Sequence, residues 1–301
     1  MQGPLPRRLA IGILLALGCT FAANHIAARV AFDHGTSLLV AVLCRSTMAA
    51  TVLTALVLWQ RQAVQLPART WRWVAAVGLL TAAQSAFIYM AISRVPVALA
   101  LLVANVFPLL LALWTWAFGG PRPTRRASVL MGVILAGLSL ALDLPGRIGT
   151  AHADTAHWTS GILLALGGAT SFSLGVWIAD HKLVAVRSSV RSMMTMQIAL
   201  VVLALAGTAG VVPGGIVWPH DAAGWTGLVM LATFYGAGFS VLFVLMPRLD
   251  LARNAPAMNI EPVATLLFGW LVLQQTLAPV QIAGALVVVT GIVLLSYKRA
   301  A

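Results

Sequence analysis

One glutamate, Glu261, occurs in 301 residues, and it falls inside an apolar stretch directly before Pro262. A charged side chain at the centre of a bilayer costs about 2.5–3.5 kcal/mol on insertion scales. Glu261 is therefore expected to face a cavity or a partner, or to carry a proton. The desolvation that makes its charge expensive also suits a carboxyl to taking up and releasing a coupling proton. A purely structural role, locking helix packing near the membrane edge, is the competing reading. Arg45 is the sole basic residue deep in an apolar stretch. Its planar fork suits a bidentate contact with a substrate carboxylate; neutralising Glu261 or bonding helix-end carbonyls are its other roles.

Asn105 and Asn259 each stand three residues before a proline, Pro108 and Pro262. Proline removes an intrahelical donor and clashes with the carbonyl four residues earlier. Each Asn-x-x-Pro thus predicts a kinked helix with a local polar patch, suited to substrate contact or to a gating hinge. Hydrogen bonding to a neighbouring helix competes with that role. Gln84, Tyr89 and Tyr235, with Ser85, Thr170, Ser171, Ser173 and Ser240, are further lining candidates for which helix-to-helix bonding is the alternative. His25 reads as a hydrogen-bonded packing histidine, although it could titrate.

Other chemistries are missing from the sequence. It has no Gly-x-x-x-x-Gly-Lys phosphate loop, no His-Glu-x-x-His and no Cys/His metal cluster, so neither a cofactor nor a metal is expected. Asp33, Asp143, Asp154 and Asp221 fall in loops, which argues against paired catalytic carboxylates and an enzyme. Cys19 and Cys44 lie in apolar stretches and read as small packing residues. The order Ala16-Leu17-Gly18 before Cys19 is wrong for a lipidation site, so the segment after Arg7-Arg8 reads as an uncleaved span.

These residues must be held by membrane helices. Sixty per cent of residues are apolar, 9% are charged and mean hydropathy is +0.95, a composition outside the soluble range. Ten stretches suit helices of about 20 residues, the length that crosses about 30 Å of hydrocarbon. They run over Leu9–Arg29, Ser37–Trp59, Trp73–Ser93, Val97–Phe118, Ala127–Leu142, Thr159–Ala179, Ser192–Val212, Trp225–Met246, Ala255–Gln275 and Val280–Tyr297. With a cytoplasmic N-terminus, only Arg29, Arg94 and Arg147 of the 19 Lys and Arg fall on the far side; Arg45 lies within a span and the rest are cytoplasmic. That bias is a positive-inside signal. It accounts for the net charge of +12 without nucleic acid as a partner. Trp59, Trp71, Trp73, Trp158, Trp218 and Trp225 lie near span ends, as an interfacial aromatic belt would.

The chain also repeats itself. Gly12–Gly18 and Gly161–Gly167 are identical in sequence. A gapless offset of 154 residues pairs Trp71 with Trp225, Arg94 with Arg248, Asn105 with Asn259, Pro108 with Pro262, Trp116 with Trp270 and Gly137 with Gly291. Five spans per copy is an odd number, so the second copy enters the membrane inverted. Inverted repeats are the architecture of alternating-access carriers, with the substrate site near the midplane. The expected division is residues 1–145, a periplasmic linker over 146–158 holding His152 and His157, and residues 159–301.

Two five-helix copies, Pro108 in the fourth span and Glu261-Pro262 in the ninth resemble the EamA-type branch of the drug/metabolite transporter superfamily. Asn24 and Arg45 also match positions where that family often carries such residues. The family's Glu closing the fourth span is replaced here by Gly119-Gly120, and that closing the ninth by Gln274-Gln275. The resemblance implies an all-α, ten-helix secondary exporter of amino acids or other small metabolites in the bacterial inner membrane, both termini cytoplasmic. It would work as a monomer or homodimer, with the bilayer and a small-molecule substrate as its partners. A membrane receptor or assembly subunit without transport is the alternative.

Overall fold

A computed structural model describes residues 5–61, 64, 66, 69–142, 155–212, 214–245, 249 and 260–296. Every regular element among them is helical: α1 (Arg7–Asp33), α2 (Leu38–Trp59), α3 (Trp71–Ile92), α4 (Val97–Ala104), α5 (Phe107–Ala117), α6 (Arg125–Ala141), α7 (Thr155–Lys182), α8 (Ser188–Thr208), α9 (Ala222–Leu245), α10 (Glu261–Leu273) and α11 (Pro279–Ser296). In the absence of water the helix satisfies its own backbone, which is why apolar stretches of this length fold this way. Arg7–Asp33, Leu38–Trp59, Trp71–Ile92, Val97–Ala117, Ala156–Lys182 and Ser188–Thr208 are long and apolar enough to cross a bilayer. The protein is a multi-pass membrane protein. Glu261–Leu273 and Pro279–Leu295 are apolar but shorter.

The ends are set by local chemistry. Ser37 Oγ accepts the Val40 N–H and Thr124 Oγ1 accepts the Ala127 N–H, capping α2 and α6. Gly119, at φ +88°, ends α5 and lets the Gly120 N–H reach back to the Thr115 carbonyl at 2.8 Å. The glycine pair standing where the family has a glutamate therefore supplies a helix stop.

One break differs from the expectation of a kinked continuous helix. The fourth span stops at Ala104 and restarts at Phe107, with Asn105 and Val106 between. Pro108 falls in the first turn of α5, and Pro262 in the first turn of α10. Those first-turn positions have no N–H partner to lose, so proline is well tolerated there. Glu261 is the first residue of α10 and follows Ile260, which is itself in a helical conformation; residues 250–259 lie outside the described residues. Asn259 and most of the 143–158 connection lie outside the described residues.

Helix packing is reciprocal between α1–α6 and α7–α11. α3 lies along α7 as α1 lies along α9; α2 touches α9 as α3 touches α8; α1 touches α10 as α4 and α5 touch α7. The pairs α6–α11, α2–α8 and α4–α10 close the arrangement. Small residues permit the closest approaches, as expected where lipid removes the hydrophobic drive between helices. A Cβ on Gly227 of α9 would come within 2.9 Å of the Ala31 nitrogen of α1.

Candidate functional site

Four helices bring a buried polar cluster together around Tyr89, which is 0% exposed. On α3, Ser85 and Tyr89 are four residues apart and so share a face. Arg45 of α2 donates through NH2 to Ser85 Oγ at 2.6 Å and through NH1 to Tyr89 OH at 3.2 Å. Its guanidinium is sandwiched, 4.7 Å from the Tyr89 ring centre and 4.2 Å from that of Tyr235 on α9. Tyr89 OH donates to Asn24 Oδ1 on α1 at 3.3 Å, and Asn24 Nδ2 donates to the Leu231 carbonyl of α9 at 2.6 Å. Cation–π contacts of this desolvated kind contribute about 2 kcal/mol. They repay much of the cost of an arginine that is only 3% exposed.

Arg45 forms no ion pair with Glu261, and it lines neither the cavity around Glu261 nor the one beside Arg191. Two of its five N–H donors meet hydroxyls, two rings flank it, and its Nε is buried without a partner. Asn24, Tyr89 and Tyr235 belong to the same closed cluster. They tie α1, α2, α3 and α9 together.

Glu261 and His25 lie next to this cluster, with the His25 ring 6.0 Å from that of Tyr89. Glu261 Oε1 is 3.7 Å from His25 Nε2, with side-chain exposures of 23% and 12%, and His25 Nδ1 is buried without a partner. Neighbouring residues on a helix point about 100° apart. Asn24 can thus face the tyrosine cluster while His25 turns toward Glu261. Both His25 and Glu261 line a cavity of about 160 Å³ together with Gln84, Asn105, Phe107 and Phe172. Asn105 Nδ2 donates to the Leu101 carbonyl at 2.8 Å, one turn back on α4. The break before α5 therefore places an amide and an exposed helix start at the cavity wall. Phe107 and Phe172 meet edge to face at 4.8 Å.

Of the expected lining residues, the structure brings Glu261, Gln84 and Asn105 to one cavity. Phe107 and Phe172 went unnoticed in the sequence, as did His25 in this role. A pointer existed for Phe172, since Gly168 precedes it by one helical turn and lines the same cavity. Ser173 accepts the Trp114 indole N–H at 3.1 Å, and Ser240 donates to its own helix at Gly236; both act in packing. Among the described residues no group of three His, Cys, Asp or Glu is placed to hold a metal.

Outside the spans, His34 Nδ1 lies 2.7 Å from Asp221 Oδ2, joining the α1–α2 turn to the start of α9. Asp221 also caps α9 by accepting the Gly224 N–H at 2.8 Å. That backbone bond first, and then His34, hold its carboxyl below the usual range. Gln275 Oε1 accepts the Val97 N–H at 3.3 Å. A neutral amide thus caps the start of α4 in the region where the family carries a glutamate.

The family model described as "EamA-like transporter family" matches the chain twice, over residues 9–142 and 159–297. No curated protein matches it. Among solved structures 15 chains match. One of them, described only as "Crystal structure of protein", is 21% identical, covers 98% of this chain and 99% of its own, and superposes with a TM-score of 0.63. At that identity the likeness shows a common fold.

Proposed function

From the premise that this chain belongs to the EamA-like transporter family, of the drug/metabolite transporter superfamily, we propose that it is a secondary active exporter of amino acids or other small organic metabolites. It works by alternating access between two inverted five-helix repeats, residues 1–145 and 159–301, and is driven by proton coupling or by exchange. The observation that carries this reading is the cavity walled by both halves. His25, Gln84, Asn105 and Phe107 come from the first match, and Glu261 and Phe172 from the second. A polar cavity at a repeat interface, beside a broken helix, is where carriers hold substrate.

The reciprocal packing supports the repeat, because exchanging the halves maps each major helix contact onto another or onto itself. The one-sided distribution of Lys and Arg supports a bacterial inner-membrane orientation with both termini cytoplasmic. Glu261 is the coupling residue in this account, as the acid that lines the cavity. The test is counterflow: proteoliposomes loaded with an unlabelled amino acid accumulate the labelled one transiently if the protein is a carrier. A receptor or scaffold gives no such overshoot.

A further inference from the structure

Arg45 is enclosed by tyrosines, yet a different arginine faces open space at the α7–α8 end. A second cavity, of about 180 Å³, is lined by Arg191, Ser192 and Thr195 of α8, Ser171 and Phe172 of α7 and Phe239 of α9. Phe172 lines both this cavity and the Glu261 cavity. Arg191 NH1 donates to the Ala179 carbonyl at 3.0 Å. That bond engages one of five donors in the fork. Thr195 is 6% exposed, and its Oγ1 is buried with no hydrogen-bond partner. An orphaned hydroxyl of this kind costs about 1–3 kcal/mol and calls for a ligand atom. Arg191 also sits in the first turn of α8, where the helix start adds positive partial charge.

We infer that this second cavity is an anion subsite, in which Arg191 and Thr195 bind the carboxylate of a small solute whose apolar group rests against Phe172 and Phe239. Among the described residues the cavity wall holds a cation, hydroxyls and apolar side chains and no acid, so no charge in it favours an ammonium group. Sharing Phe172 with the Glu261 cavity, the site serves as a waiting position beside the central one. The assignment rests on the carrier reading for its role, while its ligand chemistry stands on the cavity itself.

Equilibrium binding to the purified full chain in detergent tests it with three probes: leucine, 4-methylpentanoate, which lacks the amino group, and leucinamide, which lacks the carboxylate. The two carboxylates bind equally, and leucinamide about tenfold or more weaker. Arg191→Gln lowers carboxylate affinity about tenfold, Arg191→Lys recovers part of it, and the near-isosteric Thr195→Val lowers it severalfold. Thr195→Val keeps the test decisive if Arg191→Gln fails to fold. Leucinamide binding as well as leucine, unchanged affinity in Thr195→Val, or no saturable binding of either carboxylate at millimolar concentration overturns the subsite. Leucine counterflow is measured in parallel. Counterflow without Arg191-dependent binding removes the subsite and leaves the carrier; Arg191-dependent binding without any counterflow does the reverse.

Discussion

His25 Nε2 and Glu261 Oε1 face each other at 3.7 Å, joining residues 236 positions apart across the junction of α1 and α10. The contact sets the acid against the first repeat at the wall of the cavity. His25 also packs on the Arg45 cluster, its ring 6.0 Å from that of Tyr89, while the polar contacts of Arg45 are with Ser85 and Tyr89.

Arg45 and Glu261 make no direct contact, so any coupling between them runs through His25 and Tyr89. A double-mutant cycle of Arg45→Gln and Glu261→Gln on thermal stability in detergent should give a small coupling, under about 1 kcal/mol. A rescue of one mutation by the other, above about 1 kcal/mol, would show that the two charges neutralise each other.

Arg45→Gln alone should destabilise the fold by about 2 kcal/mol, through lost cation–π and charged hydrogen bonds. Tyr235→Leu, which removes one ring of the sandwich, should cost less. Melting curves in detergent read both; a stable Arg45→Gln protein with a raised substrate KM would return Arg45 to the binding site.

Pro108 stands at the start of α5, directly after the break at Asn105 and Val106. Pro108→Ala restores a donor and favours a continuous helix, so expression should hold while turnover falls severalfold. Pro262→Ala should act in the same direction. Normal turnover in both variants reduces the prolines to passive helix starts.

Asp221 gives a pH dependence with a defined sign. Its carboxyl is held below the usual range by the Gly224 N–H and His34. The folded-state preference for the carboxylate adds stability above the ordinary Asp value of about 3.9, and that stability is lost as pH falls through the lowered folded value. The melting difference between native protein and Asp221→Asn should thus shrink as pH falls below about 4. A difference that stays undiminished through that acid range would contradict the assignment.

The helical segments were legible because each follows from local hydropathy and punctuation. Gly119-Gly120 and Ser37 mark ends through backbone geometry and capping, both short-range effects. Glu261, Gln84 and Asn105 stood out as polar residues in apolar stretches, and all three reach the cavity. The partnerships were not legible. Whether Arg45 meets Glu261, a carboxylate or two tyrosines depends on how α2, α3 and α9 pack, and helix periodicity carries no information about neighbours in space. His25 was read as packing because one histidine has no pattern to test.

The most direct measurement is transport by Glu261→Gln in proteoliposomes, with counterflow and pH-gradient-driven flux of the same labelled amino acid recorded side by side. Exchange needs only a loaded carrier that reorients, and the amide mimics the protonated acid. The variant should keep counterflow and lose gradient-driven accumulation, while the native protein shows both. Full gradient-driven transport by Glu261→Gln, or no counterflow by the native protein across the amino-acid panel, contradicts the account.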